Sequence, residues 1–294
     1  MAIAITAPTG NIGRSLVPKL LAAGIELILV TRSPEKLDPE VRKRVTIRQG
    51  VLQDREFIRK ATQGVEALYW LNPGNKAADD VLAWYRLYGE SVQDAVACNE
   101  IPYVVNISAI DPDIETAGVA SGIGLVERYL NTTEANVIQL RPGFFLENLV
   151  PQLKQIRDSG TISFPIPPER EVDLIATEDI AVVAAEYLQN LTWKGKIVRN
   201  LYGAADLTFP EAARRLTEAT GRPIRYVGIT LEEFHAQLVQ HGVSVPAADG
   251  YVQLYARYHL PGTTATDRTP ESTTPTTVDQ WGRLVLKPLL EAHA

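Results

Sequence analysis

The feature that most constrains this chain is a strand-turn-helix signal at residues 3–24, IAITAPTGNIGRSLVPKLLAAG. Ile3, Ala4 and Ile5 form a short apolar run, residues 7–13 make a tight turn around Pro8, Gly10 and Gly13, and Leu16, Val17, Leu20 and Leu21 then recur at helical spacing up to Gly24. Small residues in such a turn let the backbone approach a pyrophosphate, and the free N–H groups and positive dipole end of the helix hold its charge. A dinucleotide is the expected guest. Ala7 stands where the first glycine of such turns usually lies, and because alanine cannot adopt positive φ cheaply, an altered turn is expected there.

The next apolar run, residues 26–30, reads as a second parallel strand and ends in Thr31, Arg32 and Ser33. A ribose-reading acid would sit about 20 residues beyond the turn. An arginine in its place suits a 2′-phosphate, so NADP(H) is expected in preference to NAD(H). Further strands are read at residues 45–48, 66–71, 102–107 and 137–141, and helices at 57–62, 79–99 and 119–131. This alternation predicts an α/β chain with a doubly wound parallel sheet. Its ligand edge would carry the turns at residues 7–13, 31–32, 71–73, 108–110 and 142–145.

The second half holds shorter elements: strands at 172–176, 197–202 and 223–227, and helices at 177–188, 209–220 and 230–241, the last opened by Thr230 and Glu233 at capping-box spacing. They predict a lid over the ligand edge. Residues 261–277, rich in threonine and proline, read as a mobile loop before a last helix from Val278. The expected division is a dinucleotide-binding domain at 1–150, with later strands returning to its sheet, and a smaller α/β substrate-binding lid region at 151–294.

A length of 294 residues with 45% hydrophobic content suits one large α/β domain and an appendage. A net charge of −6 argues against a nucleic-acid partner, which needs clustered Lys and Arg. The single cysteine, Cys98, excludes an intrachain disulfide, and it lies in an apolar helical stretch where core packing is expected. His235, His241, His259 and His293 lack paired ligand spacing, so no metal site is expected. No apolar stretch approaches the length of a membrane span, and the expected location is the cytoplasm. The helix bearing Trp84, Tyr85 and Tyr88 is read as packing in the core or as the surface of a homodimer.

The turn TAPTGNIG, the stretch TRSPEK and, above all, LRPGFFLENL at residues 140–149 make the chain resemble the NmrA-like family of atypical short-chain dehydrogenases. TEDIAVVAAEYL from Thr177, LYGAADLTFPEAARRLTEATGRPIRYVGIT from Leu201 and TTVDQW from Thr276 extend the resemblance over nearly the whole chain. It implies a Rossmann-type fold in which Thr9, Gly10, Asn11 and Ile12 hold the pyrophosphate and Arg32, assisted by Lys36, holds the 2′-phosphate. Asn72, Pro73, Ser108 and Ala109 would run beside the ribose and nicotinamide. Gly143 would stand between cofactor and substrate, with Phe144, Phe145 and Asn148 on the substrate side. Tyr85 and, from the lid, His235 are further candidates to line the substrate. Val51 follows Gly50 where many enzymes of this kind place an adenine-binding aspartate.

Typical short-chain dehydrogenases carry a tyrosine four residues before a lysine, and the pair protonates the substrate oxygen. Counting back from Glu127, Val119 and Ile123 occupy those places, beside Gly122. Hydride transfer to a quinone, an enone or another conjugated apolar acceptor, such as an intermediate of aromatic secondary metabolism, needs mainly proximity and orientation. Ser108, Ser121, Tyr85 and Tyr88 are candidate donors, with Ser108 the catalytic choice. Two alternatives stand beside this reductase: a non-catalytic NADP(H)-binding redox sensor, and a redox-neutral isomerase or cyclase.

Overall fold

The structure, a computed structural model, describes residues 1–112, 118–260 and 267–292. Its strands are β1 (Ala2–Thr6), β2 (Glu26–Thr31), β3 (Thr46–Gln49), β4 (Ala67–Trp70), β5 (Tyr103–Ile107), β6 (Asn136–Pro142), β7 (Phe144–Phe145), β8 (Thr161–Phe164), β9 (Glu171–Ile175), β10 (Lys196–Leu201), β11 (Asp206–Thr208) and β12 (Arg225–Gly228). Seven of them form one parallel sheet in the order β10-β6-β5-β4-β1-β2-β3. Ile3, Ala4, Ile5 and all of β4 are buried, because helices cover both faces. That double burial explains why the strands read as continuous apolar runs rather than alternating ones.

On one face, helices Asn11–Ala22 and Thr177–Gln189 pack together over the sheet through Leu16, Leu20, Ile180 and Ala184. On the other, Val81–Cys98 lies against Val119–Asn131 and Arg55–Ala61 through Tyr88, Val92, Val126 and Ile58. The chain builds outward from β1 to β2 and β3 on one side and from β4 to β10 on the other. The reversal between β1 and β4 opens the crevice in which ligands of such sheets bind.

A second layer starts at the end of β6. Gly143 turns the chain into β7, which pairs with β9, and β9 pairs antiparallel with β11; β8 pairs with β12. Phe144, Phe164, Phe209 and Trp281 fill its core. Helix Thr177–Gln189, expected in the lid, packs on the sheet instead, and β10 is a later strand that returns to that sheet as its edge. The alternating pattern does not tell which sheet a strand joins. Gly221 at φ +71° ends helix Phe209–Thr220, and the capping box of Thr230 and Glu233 opens helix Leu231–Gln240. Helices Leu153–Ser159 and Val245–Ala256, unread in the sequence, complete this layer.

Cys98 is exposed, contrary to the core packing expected of it. It is the last residue of its helix, beyond the packed face formed by Val92, Ala95 and Val96. Tyr85 and Tyr88, which fall on the surface considered for a homodimer, are buried within the chain. Part of the loop read at residues 261–277, together with His293, lies outside the described residues. Among the described residues no helix is long and apolar enough to cross a membrane, and no cluster of His, Cys, Asp and Glu could hold a metal.

Candidate active site

Three turns at the carboxyl edge of the sheet build the nucleotide side. Thr6 ends β1 fully buried, its Oγ1 accepting the Leu71 N–H at 2.8 Å, so the first turn is tied to the end of β4. Ala7 then takes φ +48°, the left-handed conformation for which glycine is the usual residue. The turn is therefore kept rather than altered, with local strain at Ala7. The Gly10 N–H donates to the Ala7 carbonyl at 3.1 Å, and a Cβ on Gly13 would stand 2.7 Å from Pro8 Cα. Only glycine lets the helix start so close to the turn.

Helix Asn11–Ala22 begins at Gly10 with no side-chain cap and no acid in its first turn. Its first N–H groups are thus free to meet an anion. Gly10 and Asn11 are exposed there and Thr9 is half-buried, whereas the Ile12 side chain is in the core, leaving only its backbone for binding. At the end of β2, Arg32 and Lys36 are exposed. The Arg32 carbonyl accepts from Gln49 Nε2 at 3.2 Å, which anchors the loop through the backbone.

Asn72 follows β4 and Ser108 follows β5. Both are buried, yet Asn72 Oδ1 and Ser108 Oγ have no partner among the described residues. The Ser108 N–H donates to the Leu140 carbonyl at 2.7 Å, which holds its hydroxyl at the edge of the sheet. Buried polar atoms of this kind call for a ligand. An uncapped helix start, a glycine no other residue can replace and two orphaned oxygens along one edge fit a dinucleotide.

Beside this edge lies a cavity of about 540 Å³. Ser108, Ala109, Gly143, Phe144, Phe145 and Asn148 line it, together with Tyr85. Val119 and Ile123, one helical turn apart, give the cavity an apolar wall. Phe144 also packs edge-on against Phe164 and Phe209, at 5.1 and 5.4 Å between ring centres, so it both lines the cavity and holds the second layer. The remaining candidates lie elsewhere. Thr9 to Ile12, Arg32, Lys36, Asn72 and Pro73 do not line the cavity, although Gly74 does. Pro73 instead accepts the Trp84 indole N–H at 3.2 Å. His235 is not on the cavity either: its Nε2 lies 3.1 Å from the Asp249 carboxylate, because its helix presents that side to helix Val245–Ala256.

The opposite side of the cavity is polar and was not anticipated. The Tyr202 hydroxyl donates to Asp267 at 2.6 Å, and Asn200 Nδ2 donates to that hydroxyl at 3.1 Å. Asp173 is 9% exposed, its Oδ2 has no partner among the described residues, and burial pushes its pKa up to about 7. Burial also raises the Tyr85 and Tyr258 hydroxyls well above the usual phenol range. A lone aspartate inside the apolar run VDLI was the one available signal for this group.

The fold and the edge define a nucleotide-binding α/β protein whose ligand edge opens on an aromatic cavity. The chain belongs to the NAD(P)H-binding family, which matches residues 8–190, and its cofactor is a nicotinamide dinucleotide. It is 27% identical over 273 residues to an NAD(P)H azoreductase of Xenophilus azovorans, covering 86% of each chain. It is 23% identical over 252 residues to quinone oxidoreductase 2 of Escherichia coli, covering 84% of each. The crystal structure of the Citrobacter sp. triphenylmethane reductase complexed with NADP(H) has the same fold, with a TM-score of 0.76, 20% identity, and 99% of this chain and 100% of that one covered.

Proposed function

We propose that the protein is an NADPH-dependent reductase that reduces a conjugated apolar acceptor of the quinone or enone type. The observation that carries this reading is the aromatic cavity set directly against the nucleotide edge, with Ser108, Ala109 and Gly143 common to both. The azo- and quinone-reducing relatives support it.

Reduced nicotinamide, when bound, supplies a hydride to the acceptor. The free N–H groups at the start of helix Asn11–Ala22 hold the pyrophosphate, and Arg32 with Lys36 reads a 2′-phosphate, which favours NADPH over NADH. Asn72 Oδ1 and Ser108 Oγ take up polar hydrogens of the ribose and nicotinamide end. Phe144, Phe145 and Tyr85 orient a flat acceptor and keep water away. With Val119 and Ile123 in place of the acid pair, acceptors that delocalise charge are favoured over simple ketones.

The test is fluorescence titration of the purified protein with NADPH and NADH, followed by a panel of quinones and enones while the absorbance of the reduced cofactor is watched. Acceptor-dependent loss of NADPH is expected. Tight binding with no loss for any acceptor would overturn the reductase reading in favour of a redox sensor.

A further inference from the structure

The polar side of the cavity holds a carboxyl group that the preceding mechanism does not use. Asp173 is the third residue of β9, and its side chain reaches the cavity beside Gly143. The two residues are so close that a Cβ on Gly143 would overlap Asp173 Oδ2. That oxygen has no hydrogen-bond partner among the described residues, although the side chain is almost wholly buried. A buried oxygen facing a cavity without a partner is costly unless a ligand meets it or it carries a proton.

Its surroundings favour the protonated form. Asp206 stands opposite on β11, and its negative charge opposes ionisation of Asp173. Arg268 acts the other way, but it is already paired with Asp206. The backbone N–H groups of Asp173 and Phe144 also favour the ionised form, yet burial outweighs them. Tyr258, from the turn after helix Val245–Ala256, and Tyr202, at the end of β10, approach as neutral phenols. Arg257, also on the cavity, pairs with Asp111 at 3.5 Å.

Resting on the reductase reading, we infer that Asp173 is the catalytic proton donor to the acceptor, replacing the acid that Val119 and Ile123 cannot supply. One end of the conjugated system receives the hydride, and the oxygen at the other end receives the proton as the Asp173 O–H bond breaks. The acceptor is thereby reduced by two electrons, the reduced nicotinamide is oxidised, and the carboxylate recovers its proton from water. A carboxylic acid that titrates near neutral pH suits this role better than Tyr85 or Tyr258, which hold their protons more tightly. Above that titration the ionised carboxylate would also repel the oxyanion forming on the acceptor.

The experiment compares wild type with Asp173→Asn in single-turnover NADPH oxidation with a quinone and an enone from pH 5 to pH 9, roughly bracketing the titration. In parallel, infrared difference spectra of the NADPH-free protein follow the protonated carboxyl band over the same range. The expected result is a wild-type rate that falls as pH rises through about 7, a carboxyl band that titrates with it, and a variant slowed on the order of 10²-fold. The variant should lack both the limb and the band while keeping its NADPH affinity. Wild-type turnover with a variant that keeps its rate and its limb would overturn the proton donor and leave the reductase standing. A wild-type carboxyl band that titrates near the usual aspartate range would overturn it independently of any variant. NADPH binding with no acceptor-dependent oxidation in wild type would overturn the reductase reading and this inference with it.

Discussion

Gly143 and Asp173 touch across the joint between the two layers: Gly143 Cα faces the carboxylate, and a Cβ there would lie 2.8 Å from the Asp173 carbonyl oxygen and overlap Oδ2. The glycine that ends the parallel sheet thus admits the acid into the cavity. Gly143→Ala should destabilise the protein by about 1–3 kcal/mol through overpacking and weaken acceptor binding. Thermal unfolding and acceptor titration measure both effects, and a variant as stable as wild type would contradict the contact.

Asp173 also links stability to pH. Its folded pKa is raised, so the folded state prefers the proton. Its stability contribution is fully present below the unfolded value near 3.8 and is lost as pH rises through about 7. The loss at pH 8 is at most about 4 kcal/mol. Asp173→Asn should therefore raise Tm relative to wild type at pH 8 and by much less at pH 5. Equal shifts at both pH values would show that the carboxyl ionises freely in the folded protein.

Ala7 holds φ +48° to keep the nucleotide turn. Left-handed backbone costs a non-glycine residue roughly 1–2 kcal/mol, of which the greater unfolded-state freedom of glycine offsets part. Ala7→Gly should stabilise the protein by about 0.5–1 kcal/mol in denaturant titration and leave NADPH binding at least as tight. A destabilised variant would mean that the alanine methyl packs rather than strains.

Glu127 and Arg141 join helix Val119–Asn131 to β6 by two hydrogen bonds of 2.9 and 2.6 Å, with Glu127 nearly buried. Breaking a fully buried pair costs about 3–5 kcal/mol. Arg141 keeps 23% of its side chain exposed, so Glu127→Gln should cost less, about 2 kcal/mol. Urea unfolding of the variant measures the loss.

Arg32 is exposed at the end of β2. Arg32→Ala should weaken NADPH binding on the order of 10-fold or more through loss of the charge-assisted contact to the 2′-phosphate, and NADH binding by much less. Fluorescence titration with both nucleotides checks this, and equal losses would assign Arg32 another role.

Much of the central sheet was legible because its strands are buried on both faces and its helices on one, which leaves two distinct periodicities in the residues. The nucleotide turn was legible too, since Gly13 answers a local requirement for close approach of the helix to the turn. The second layer was less so. β7 has only two residues, Pro151 interrupts the helical turns that follow it, and a strand such as β10 carries no mark of the sheet it will join. His235 looked like a lid group because its helix was legible, while the helix it faces, Val245–Ala256, was not.

Local sequence thus determined the nucleotide turn and the arginine that follows β2, because each depends on neighbours within one turn or strand, while the lack of an acid pair at Val119 and Ile123 is what the family resemblance implies. Only the tertiary structure decided that Asp173 faces the cavity, where the protonated form is favoured well above the usual aspartate range. That preference comes first from burial and then from the facing Asp206, both set by residues remote in sequence that meet only once the two layers have packed.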